Sequence, residues 1–277
     1  MKKFYIIIVL FFLTSCEVLN RTQEFQIKNE QNESLYVEVD GLENIVYHKL
    51  AIMQHGLASN MNHQAIRAVK KAFLANNYVV ISFDDRYSLG KGNNEVEKVS
   101  LETFAQDLNT VTDWAKKQSF YQEPFALAGH SLGGASVLLF SAKNPQKVNI
   151  LIPVTPVISG RLWEKSCMEN LKDFCRNWQQ KGFYEYTDPQ NHKTAIISYK
   201  VITDSLNYNA FALAPKIKAE TLLIATENDI VINPEDVQKL SASLQFGNSA
   251  VIKSSGHNFE DKQNQNDLYR TVNDFLK

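Results

Sequence analysis

Short runs of almost wholly apolar residues alternate along this chain with longer segments of helical periodicity. Six such runs occur, at residues 50–53, 78–83, 125–128, 150–154, 221–225 and 250–253. An apolar run without polar alternation is typical of a strand buried on both faces. Apolar residues at helical spacing fill the segments between the runs, at residues 62–76, 101–118, 133–143, 236–244 and 266–276. The sequence therefore predicts an α/β fold with a mostly parallel sheet flanked by helices.

Two parts of the chain depart from this alternation. Residues 25–28 and 35–39 alternate apolar and polar side chains around a polar turn, which predicts a β-hairpin at the start of the sheet. Between the strands near 150 and 221, residues 159–215 lack a buried-strand pattern and are rich in aromatic side chains. A structureless loop of that length is uncommon. We therefore expect a partly helical cap, inserted over the carboxyl edge of the sheet.

Charge and composition exclude several classes of protein. Lys and Arg number 29 against 30 Asp and Glu, which argues against a nucleic-acid partner because phosphate binding requires a basic excess. A hydrophobic content of 44% excludes intrinsic disorder, and 277 residues suit one domain with a full core. The sequence carries no signal for the oligomeric state.

The first residues have the layout of a secretory signal peptide. Lys2 and Lys3 precede a ten-residue apolar run at 4–13, which is too short to span a bilayer, and small residues follow it. The segment L-T-S-C at residues 13–16 resembles the bacterial lipobox, in which cleavage precedes a lipid-bearing cysteine. The resemblance implies a signal peptide at 1–15, lipidation at Cys16, a tether at 16–24 and a main domain at 25–277. The protein would then lie outside the cytoplasm, anchored by lipid to a bacterial inner or outer membrane. The alternative is an ordinary signal peptide with an incidental cysteine.

The strongest chemical signal is the motif G-H-S-L-G at residues 129–133, which directly follows an apolar run and opens a helical segment. In this strand–turn–helix context, G-x-S-x-G is typical of a nucleophile elbow that presents a serine hydroxyl. The glycines are needed because strand and helix approach closely around the turn. We therefore predict Ser131 to be the nucleophile.

A serine hydroxyl needs a base to accept its proton and a third group to orient that base. His257 lies shortly after the run at 250–253, and Asp229 lies just past the run at 221–225. Because the carboxyl ends of parallel strands share one edge of the sheet, we expect Ser131, Asp229 and His257 to converge there. The alternatives for the acid are Glu227, Glu235, Asp236 and, in the cap, Asp204.

Together these motifs resemble the α/β-hydrolase superfamily. The matching segments, in chain order, are H-G at 55–56, F-D at 83–84, G-H-S-L-G-G at 129–134, Asp229 and G-H at 256–257. More narrowly, H-G-L-A-S-N at 55–60, N-Y-V-V-I-S-F-D at 77–84 and G-H-N-F at 256–259 resemble bacterial carboxylesterases of the cinnamoyl and feruloyl type. Relatives often carry a Gly-x-Gly turn soon after F-D, whereas here the corresponding stretch at 85–92 is longer and shifted.

The resemblance implies further parts of a catalytic site. The turn at residues 55–57 resembles the oxyanion loop of the superfamily, so the backbone N–H groups of Leu57 and Leu132 are expected to bind the developing oxyanion. His55 is expected to brace that loop. The six histidines form no ligand cluster, and the chemistry requires neither a metal ion nor an organic cofactor.

These observations predict a serine hydrolase that cleaves a small-molecule carboxylic ester through an acyl-enzyme intermediate. The cap aromatics favour an apolar acyl or aryl group, although they are equally consistent with packing of the cap onto the sheet. Thioesterase, lipase, acyltransferase and peptidase activities use the same intermediate and remain open. A protein of another class, a non-catalytic binding lipoprotein on the hydrolase scaffold, is the further alternative.

Cys167 and Cys175 lie in the predicted cap, and an extracytoplasmic compartment permits a disulfide between them. Within one continuous helix their Cα atoms would be about 12 Å apart, which is too far to bridge. A disulfide at this spacing therefore requires a turn between the two cysteines.

Overall fold

The structure, a computed structural model, describes residues 22–189 and 192–277 of the chain. The predicted signal peptide, the lipidation site at Cys16 and most of the tether lie outside the described residues and stay predictions. Among the residues that the structure describes, no helix is both long enough and apolar enough to cross a membrane.

Eight of the described strands form one sheet, and two form a separate hairpin. The strands are β1 (Gln23–Lys28), β2 (Ser34–Asp40), β3 (Leu50–Gln54), β4 (Val79–Asp84), β5 (Phe125–His130), β6 (Val148–Val154), β7 (Phe183–Thr187), β8 (Thr194–Ser198), β9 (Glu220–Thr226) and β10 (Gly247–Ile252). The main sheet has the order β1-β2-β4-β3-β5-β6-β9-β10. Strand β2 pairs antiparallel with both of its neighbours, and the pairs from β4 to β10 are parallel.

Helices connect the parallel strands and cover both faces of the sheet. They are α1 (Gln64–Ala75), α2 (Leu101–Ala115), α3 (Leu132–Lys143), α4 (Gly160–Asn170), α5 (Lys172–Lys181), α6 (Lys200–Ser205), α7 (Ala210–Leu213), α8 (Pro234–Ser243) and α9 (Lys262–Phe275). Short 3-10 helices span Leu42–Tyr47, Val96–Lys98 and Ala214–Lys216. The predicted α/β architecture, its mostly parallel sheet and the inserted cap are confirmed.

The side chains of the central strands explain why these segments form strands. Every residue of β3, β4 and β5 is buried, because helices lie on both faces of the sheet. Helices α1 and α9 pack on one face, whereas α2, α3, α8 and the cap share the larger apolar core on the other. Burial on both sides favours apolar residues at every position, which is the pattern seen in the sequence.

The inserted cap contains α4 to α7 and the antiparallel pair β7–β8. The sequence analysis missed this hairpin, which is exposed on one face and half-buried or buried on the other. Its inward side chains, Tyr184 and Tyr186 on β7 and Ala195 and Ile197 on β8, show the two-residue alternation that could have revealed it.

A disulfide joins Cys167 on α4 to Cys175 on α5, with a Cα–Cα distance of 5.9 Å. The required turn lies at Leu171, whose backbone dihedral angles of −131° and 42° separate the two helices. The cap is therefore cross-linked at the junction of its first two helices.

Candidate active site

Ser131 occupies a sharp turn between β5 and α3. Its φ of 55° lies in the left-handed region, which side-chain-bearing residues rarely adopt. A Cβ at Gly129 would collide with the carbonyl of Gly133, and a Cβ at Gly133 would collide with the carbonyl of His55. Glycine at both positions lets the strand and the helix approach closely enough to hold this strained turn.

Ser131, His257 and Asp229 form one continuous chain of hydrogen bonds. Ser131 Oγ lies 2.9 Å from His257 Nε2, and His257 Nδ1 lies 2.8 Å from Asp229 Oδ2. The serine hydroxyl can donate to Nε2 only if the imidazole carries its proton on Nδ1, where the carboxylate accepts it. The structure thus brings together the three residues that the sequence placed at separate strand ends.

Asp229 is held as a hydrogen-bond acceptor by the loop after β9. Its Oδ1 accepts the backbone N–H groups of Val231 and Ile232, each at 2.8 Å. Its Oδ2 accepts Thr226 Oγ1 at 3.3 Å in addition to the imidazole. These hydrogen bonds fix the position of the Asp229 carboxyl group, which can in turn orient the imidazole of His257.

The other acids weighed for this role have different surroundings. Glu227 forms an exposed ion pair with Lys253 at 2.8 Å and accepts the N–H of Ser254. Asp236 pairs with Lys239 on α8 at 3.2 Å, and Asp204 and Glu235 are exposed. Of the candidate acids, the structure brings Asp229 to His257.

The two predicted oxyanion donors flank the nucleophile. Leu132 begins α3, and the first N–H groups of a helix have no acceptor within that helix. A Cβ built at Gly56 would lie 3.1 Å from the Ser131 Cβ, which places the loop that carries Leu57 directly against the nucleophile. Gly56 and Leu57 also line the cavity in front of Ser131.

A second histidine–aspartate pair lies beneath the oxyanion loop. His55 Nε2 accepts the backbone N–H of Asp85 at 3.2 Å, and the same ring nitrogen lies 3.2 Å from Asp85 Oδ2. His55 Nδ1 therefore carries the proton and donates to the Gly56 carbonyl at 2.7 Å, which fixes the loop. The Asp85 carboxyl accepts Gln54 Nε2 at 2.7 Å. Burial lowers the pKa of His55, and burial with the nearby Asp107 carboxylate raises the pKa of Asp85 well above its usual range.

Two side chains hold the loop that carries His257, and the sequence analysis missed both. His130 Nε2 donates to the His257 carbonyl at 3.0 Å, and Gln64 Nε2 donates to the Asn258 carbonyl at 2.6 Å. The His130 ring stacks on His63 at 4.6 Å between centroids. Burial lowers the pKa of His63 to about 3 and lowers that of His130 well below its usual value, so both rings are neutral. These contacts join segments far apart in sequence, so local patterns do not report them.

The cavity in front of Ser131 is small, and both polar and apolar groups line it. Its volume is about 100 Å³. Its lining includes Ser59, His63, Gln64, Tyr186, Asp188, Asn258 and Glu260, with Leu57, Ala58 and Pro189 as apolar members. The other cap aromatics pack mainly against each other: the Trp178 ring lies 4.9 Å from Tyr184 and 5.2 Å from Tyr199. Tyr186 is the aromatic side chain of the cap that lines this cavity.

Within the residues that the structure describes, no cluster of His, Cys, Asp or Glu side chains could hold a metal ion. The arrangement supplies a nucleophile, a base, an oriented carboxylate and two amide donors at one edge of the sheet.

Comparison with known proteins gives the family. The model of the family described as serine aminopeptidase, S33, a family of hydrolases, matches residues 47–206, which is more than half of the chain. The chain belongs to this S33 family. The match runs from the start of the oxyanion segment through the nucleophile elbow and into the cap.

Several proteins resemble this S33 family member over most of its length. Bovine mitochondrial palmitoyl-protein thioesterase ABHD10 is 23% identical over 247 residues, covering 85% of this chain and 77% of the relative. The structure of Est1E from Butyrivibrio proteoclasticus with bound ferulic acid superposes with a TM-score of 0.71 at 20% identity, covering 91% of this chain and 97% of that one. Mouse α/β-hydrolase domain-containing protein 10 gives a TM-score of 0.68 at 18% identity, covering 92% and 98%. The chain is a hydrolase of the α/β-hydrolase fold.

Proposed function

We propose that this protein is a serine hydrolase that cleaves carboxylic esters through an acyl-enzyme intermediate. One observation carries the proposal: the hydrogen-bonded chain from Ser131 through His257 to Asp229, with links of 2.9 and 2.8 Å. An arrangement of this kind activates a serine hydroxyl, and a protein that only binds ligands has no need of it.

In the first half-reaction, His257 Nε2 accepts the hydroxyl proton as Ser131 Oγ attacks the carbonyl carbon of the ester. The negative charge that develops on the carbonyl oxygen is stabilised by the N–H groups of Leu57 and Leu132. His257 then donates its proton to the departing alcohol, and Asp229 stabilises the intervening imidazolium.

In the second half-reaction, water replaces the alcohol. The His257 side chain is 11% exposed, so solvent reaches the ring that must activate this water. The base takes a proton from water, the hydroxide attacks the acyl carbon, and Ser131 is regenerated as the acid leaves.

The volume of the cavity limits the size of the acyl group that the site is expected to accept. A volume of about 100 Å³ is smaller than the roughly 150 Å³ of a cavity that holds benzene. Most of the cap aromatics on which an apolar or aryl preference was based pack within the cap or onto the sheet, whereas Tyr186 lines the cavity. We therefore propose a preference for short acyl groups. Thioesters are the second class to test, because the relative ABHD10 is named as a palmitoyl-protein thioesterase.

A substrate panel tests both parts of the proposal. p-Nitrophenyl esters from acetate to decanoate, an aryl ester, a short acyl thioester and a peptide amide should be compared for kcat/KM. We expect acetate and propionate to be turned over fastest. Turnover of the amide alone would contradict ester hydrolysis, and a decanoate optimum would contradict the short-acyl preference.

An active-site probe tests catalysis without knowledge of the substrate. A fluorophosphonate should label the wild-type protein and fail to label Ser131→Ala. A folded wild-type protein that is not labelled would favour the non-catalytic binding protein.

We also propose that the protein is anchored outside the cytoplasm of a bacterial cell by lipid on Cys16. The support is the signal-peptide layout and the lipobox-like segment at residues 13–16. Mass spectrometry of the N-terminal peptide should find a diacylglycerol-modified Cys16, and an unmodified, soluble chain would contradict the anchor.

A further inference from the structure

The sheet edge opposite the catalytic pocket exposes an unusual apolar surface. We call it the amino-edge surface and define it as the 3-10 helix Leu42–Tyr47, Lys49 and the turn at residues 116–121. Among the described residues, no large apolar side chain is more exposed than Val46 at 69% and Tyr47 at 53%. Exposed apolar side chains grouped in this way indicate an interaction surface.

A depression of about 350 Å³ lies within this surface. Its walls are mainly apolar, from Ile45, Val46, Val79, Phe120 and Tyr121, and it also contacts His48 and Lys49. An apolar hollow with a cationic rim matches an amphipathic ligand that carries a negative head group and an aliphatic body.

Basic side chains continue along the whole amino edge. At the loops and helix ends there, the lysines are Lys49, Lys116, Lys117, Lys143, Lys147, Lys216 and Lys218. The acids at the same edge are Asp40, Glu43, Asp113, Glu123, Glu220 and Asp274. Lys116 pairs with Asp113 at 3.1 Å, and Lys277 is a further base there, which pairs with Asp274 at 2.8 Å. Two loops at the opposite edge, at residues 227–236 and 253–261, carry more acids than bases, whereas the cap carries both signs in nearly equal number.

The chain enters the fold at the same amino edge. Strand β1 begins at Gln23, which pairs with Val39 near the end of β2, and Thr22 donates a hydrogen bond to Asp40. The 3-10 helix of the amino-edge surface begins two residues later, at Leu42. Cys16 precedes Gln23 by seven residues, so a lipid on Cys16 holds this edge within about 25 Å of the bilayer, at roughly 3.5 Å per residue.

We propose that the amino-edge surface rests on the anionic surface of the membrane that holds the anchor, so that the catalytic pocket opens away from the lipid. The orientation rests on the lipid anchor proposed above, whereas the affinity of the surface for anionic lipid does not. Tyrosine and lysine suit the boundary between lipid and water, and each lysine near an anionic surface strengthens binding about fivefold.

Vesicle flotation tests the affinity without the anchor. The chain from Glu17 onward contains every helix and strand of the described fold. We expect it to bind phosphatidylglycerol vesicles and not phosphatidylcholine vesicles, and to lose this binding as salt is raised. Absence of binding to phosphatidylglycerol at low salt, or equal binding to both lipids, would overturn the proposal.

A pair of matched variants tests which surface of the protein binds the phosphatidylglycerol vesicles. Lys49→Glu/Lys116→Glu/Lys117→Glu should weaken flotation with phosphatidylglycerol about 100-fold, at about fivefold for each lysine. The control, Lys165→Glu/Lys172→Glu/Lys181→Glu, makes the same charge change on exposed positions of the cap and should have a far smaller effect. Equal loss in both variants would show that net charge, rather than the amino-edge surface, drives binding. Turnover of a soluble ester should be unchanged in both variants, which checks that they fold.

The orientation is tested with the full chain reconstituted in phosphatidylglycerol vesicles. A fluorophore at Tyr47→Cys should be quenched by a lipid-borne quencher, whereas one at Ile196→Cys in the cap should not. Stronger quenching at residue 196 would overturn the orientation. If the full chain fails to float in high salt, the lipid anchor is wrong, and the first flotation experiment still decides whether the surface binds lipid.

Discussion

Two histidine–aspartate pairs lie at the carboxyl edge of this sheet, and they differ in the distance between the partners and in the exposure of the histidine to solvent. His257 and Asp229 are 2.8 Å apart, and the histidine reaches solvent. His55 and Asp85 are 3.2 Å apart, and both are almost fully buried, at 1% and 2% exposure. The same two residue types continue the hydrogen-bonded chain from Ser131 in one place and hold the loop at residues 55–57 in the other.

The difference follows from the groups that face each carboxyl. Asp229 accepts two backbone N–H groups and one hydroxyl in addition to the imidazole, so its negative charge is compensated locally. Asp85 accepts the Gln54 amide and lies near the Asp107 carboxylate, and burial raises its pKa well above the usual range. The two carboxyl groups therefore differ in their hydrogen-bond donors and in the charges near them, although each lies beside a histidine.

The largest expected effect comes from the same substitution made in each pair. Asp229→Asn should lower kcat by about 10³- to 10⁴-fold, because an amide favours the wrong imidazole tautomer and cannot stabilise the imidazolium. Asp85→Asn should lower kcat by less than about tenfold, since burial raises the pKa of Asp85 well above its usual range and the amide has nearly the same shape as the carboxyl that it replaces. Steady-state kinetics on p-nitrophenyl acetate measures both.

Circular dichroism of both variants provides the control for folding. Equal losses of kcat in two folded variants would contradict the comparison, because Asp85 would then act as a second ionised carboxylate. Fluorophosphonate labelling should be slowed in Asp229→Asn and nearly unchanged in Asp85→Asn.

The neutral state of the buried histidines predicts acid sensitivity of the fold. Burial lowers the pKa of His63 to about 3 and also lowers the pKa of His55 and His130. The unfolded chain therefore binds protons first, and the free energy of unfolding should fall as the pH drops from 6.5 toward 3. His63 alone contributes about 1.4 kcal/mol per pH unit in that window. Urea unfolding at pH 7, 6 and 5 measures the slope.

His63→Asn is the matched variant for this slope. Asparagine can still cap α1, as His63 does by accepting the N–H of Ala65, but it does not titrate. In this variant the free energy of unfolding should change less steeply with pH, by about 1.4 kcal/mol per pH unit, because one titrating group has been removed. An unchanged slope would mean that His63 is not the neutral, buried group described here.

The residues of this site that lie at strand ends could be predicted from the sequence. A strand buried on both faces appears as an apolar run, and the residues that follow the run lie at the carboxyl edge of the sheet. Ser131, Asp229 and His257 were predicted in this way, and their catalytic roles stay proposals. His55 was predicted to brace the loop at residues 55–57. Its contact with Asp85 and the Gln54–Asp85 hydrogen bond were not predicted, because Asp85 lies in a different segment and shares no spacing with the other two. The cap hairpin was missed because its half-exposed strands lack the continuous apolar runs that mark the main sheet.

A smaller effect is expected from the hydrogen bond that holds the catalytic base from behind. His130→Phe keeps a ring against His63 but removes the donor to the His257 carbonyl. Loss of one such bond should lower kcat about tenfold with KM nearly unchanged, because the base is displaced and the substrate contacts are not. His130→Gln, which retains a donor, should recover part of the rate. Equal changes in kcat and KM would instead indicate a general collapse of the pocket.

The smallest expected effect comes from removing the weakest of the hydrogen bonds that hold the Asp229 carboxyl group. Thr226 Oγ1 donates to Asp229 Oδ2 at 3.3 Å, a longer bond than the two amide bonds of 2.8 Å to Oδ1. Thr226→Val should therefore lower kcat by only about two- to threefold. Thr221→Val makes the same change on the same strand, where the hydroxyl donates to the Ala219 carbonyl, and should leave kcat unaltered. If Thr226→Val lowered kcat as much as Asp229→Asn does, the threonine hydroxyl rather than the two backbone amides would be the group that Asp229 requires.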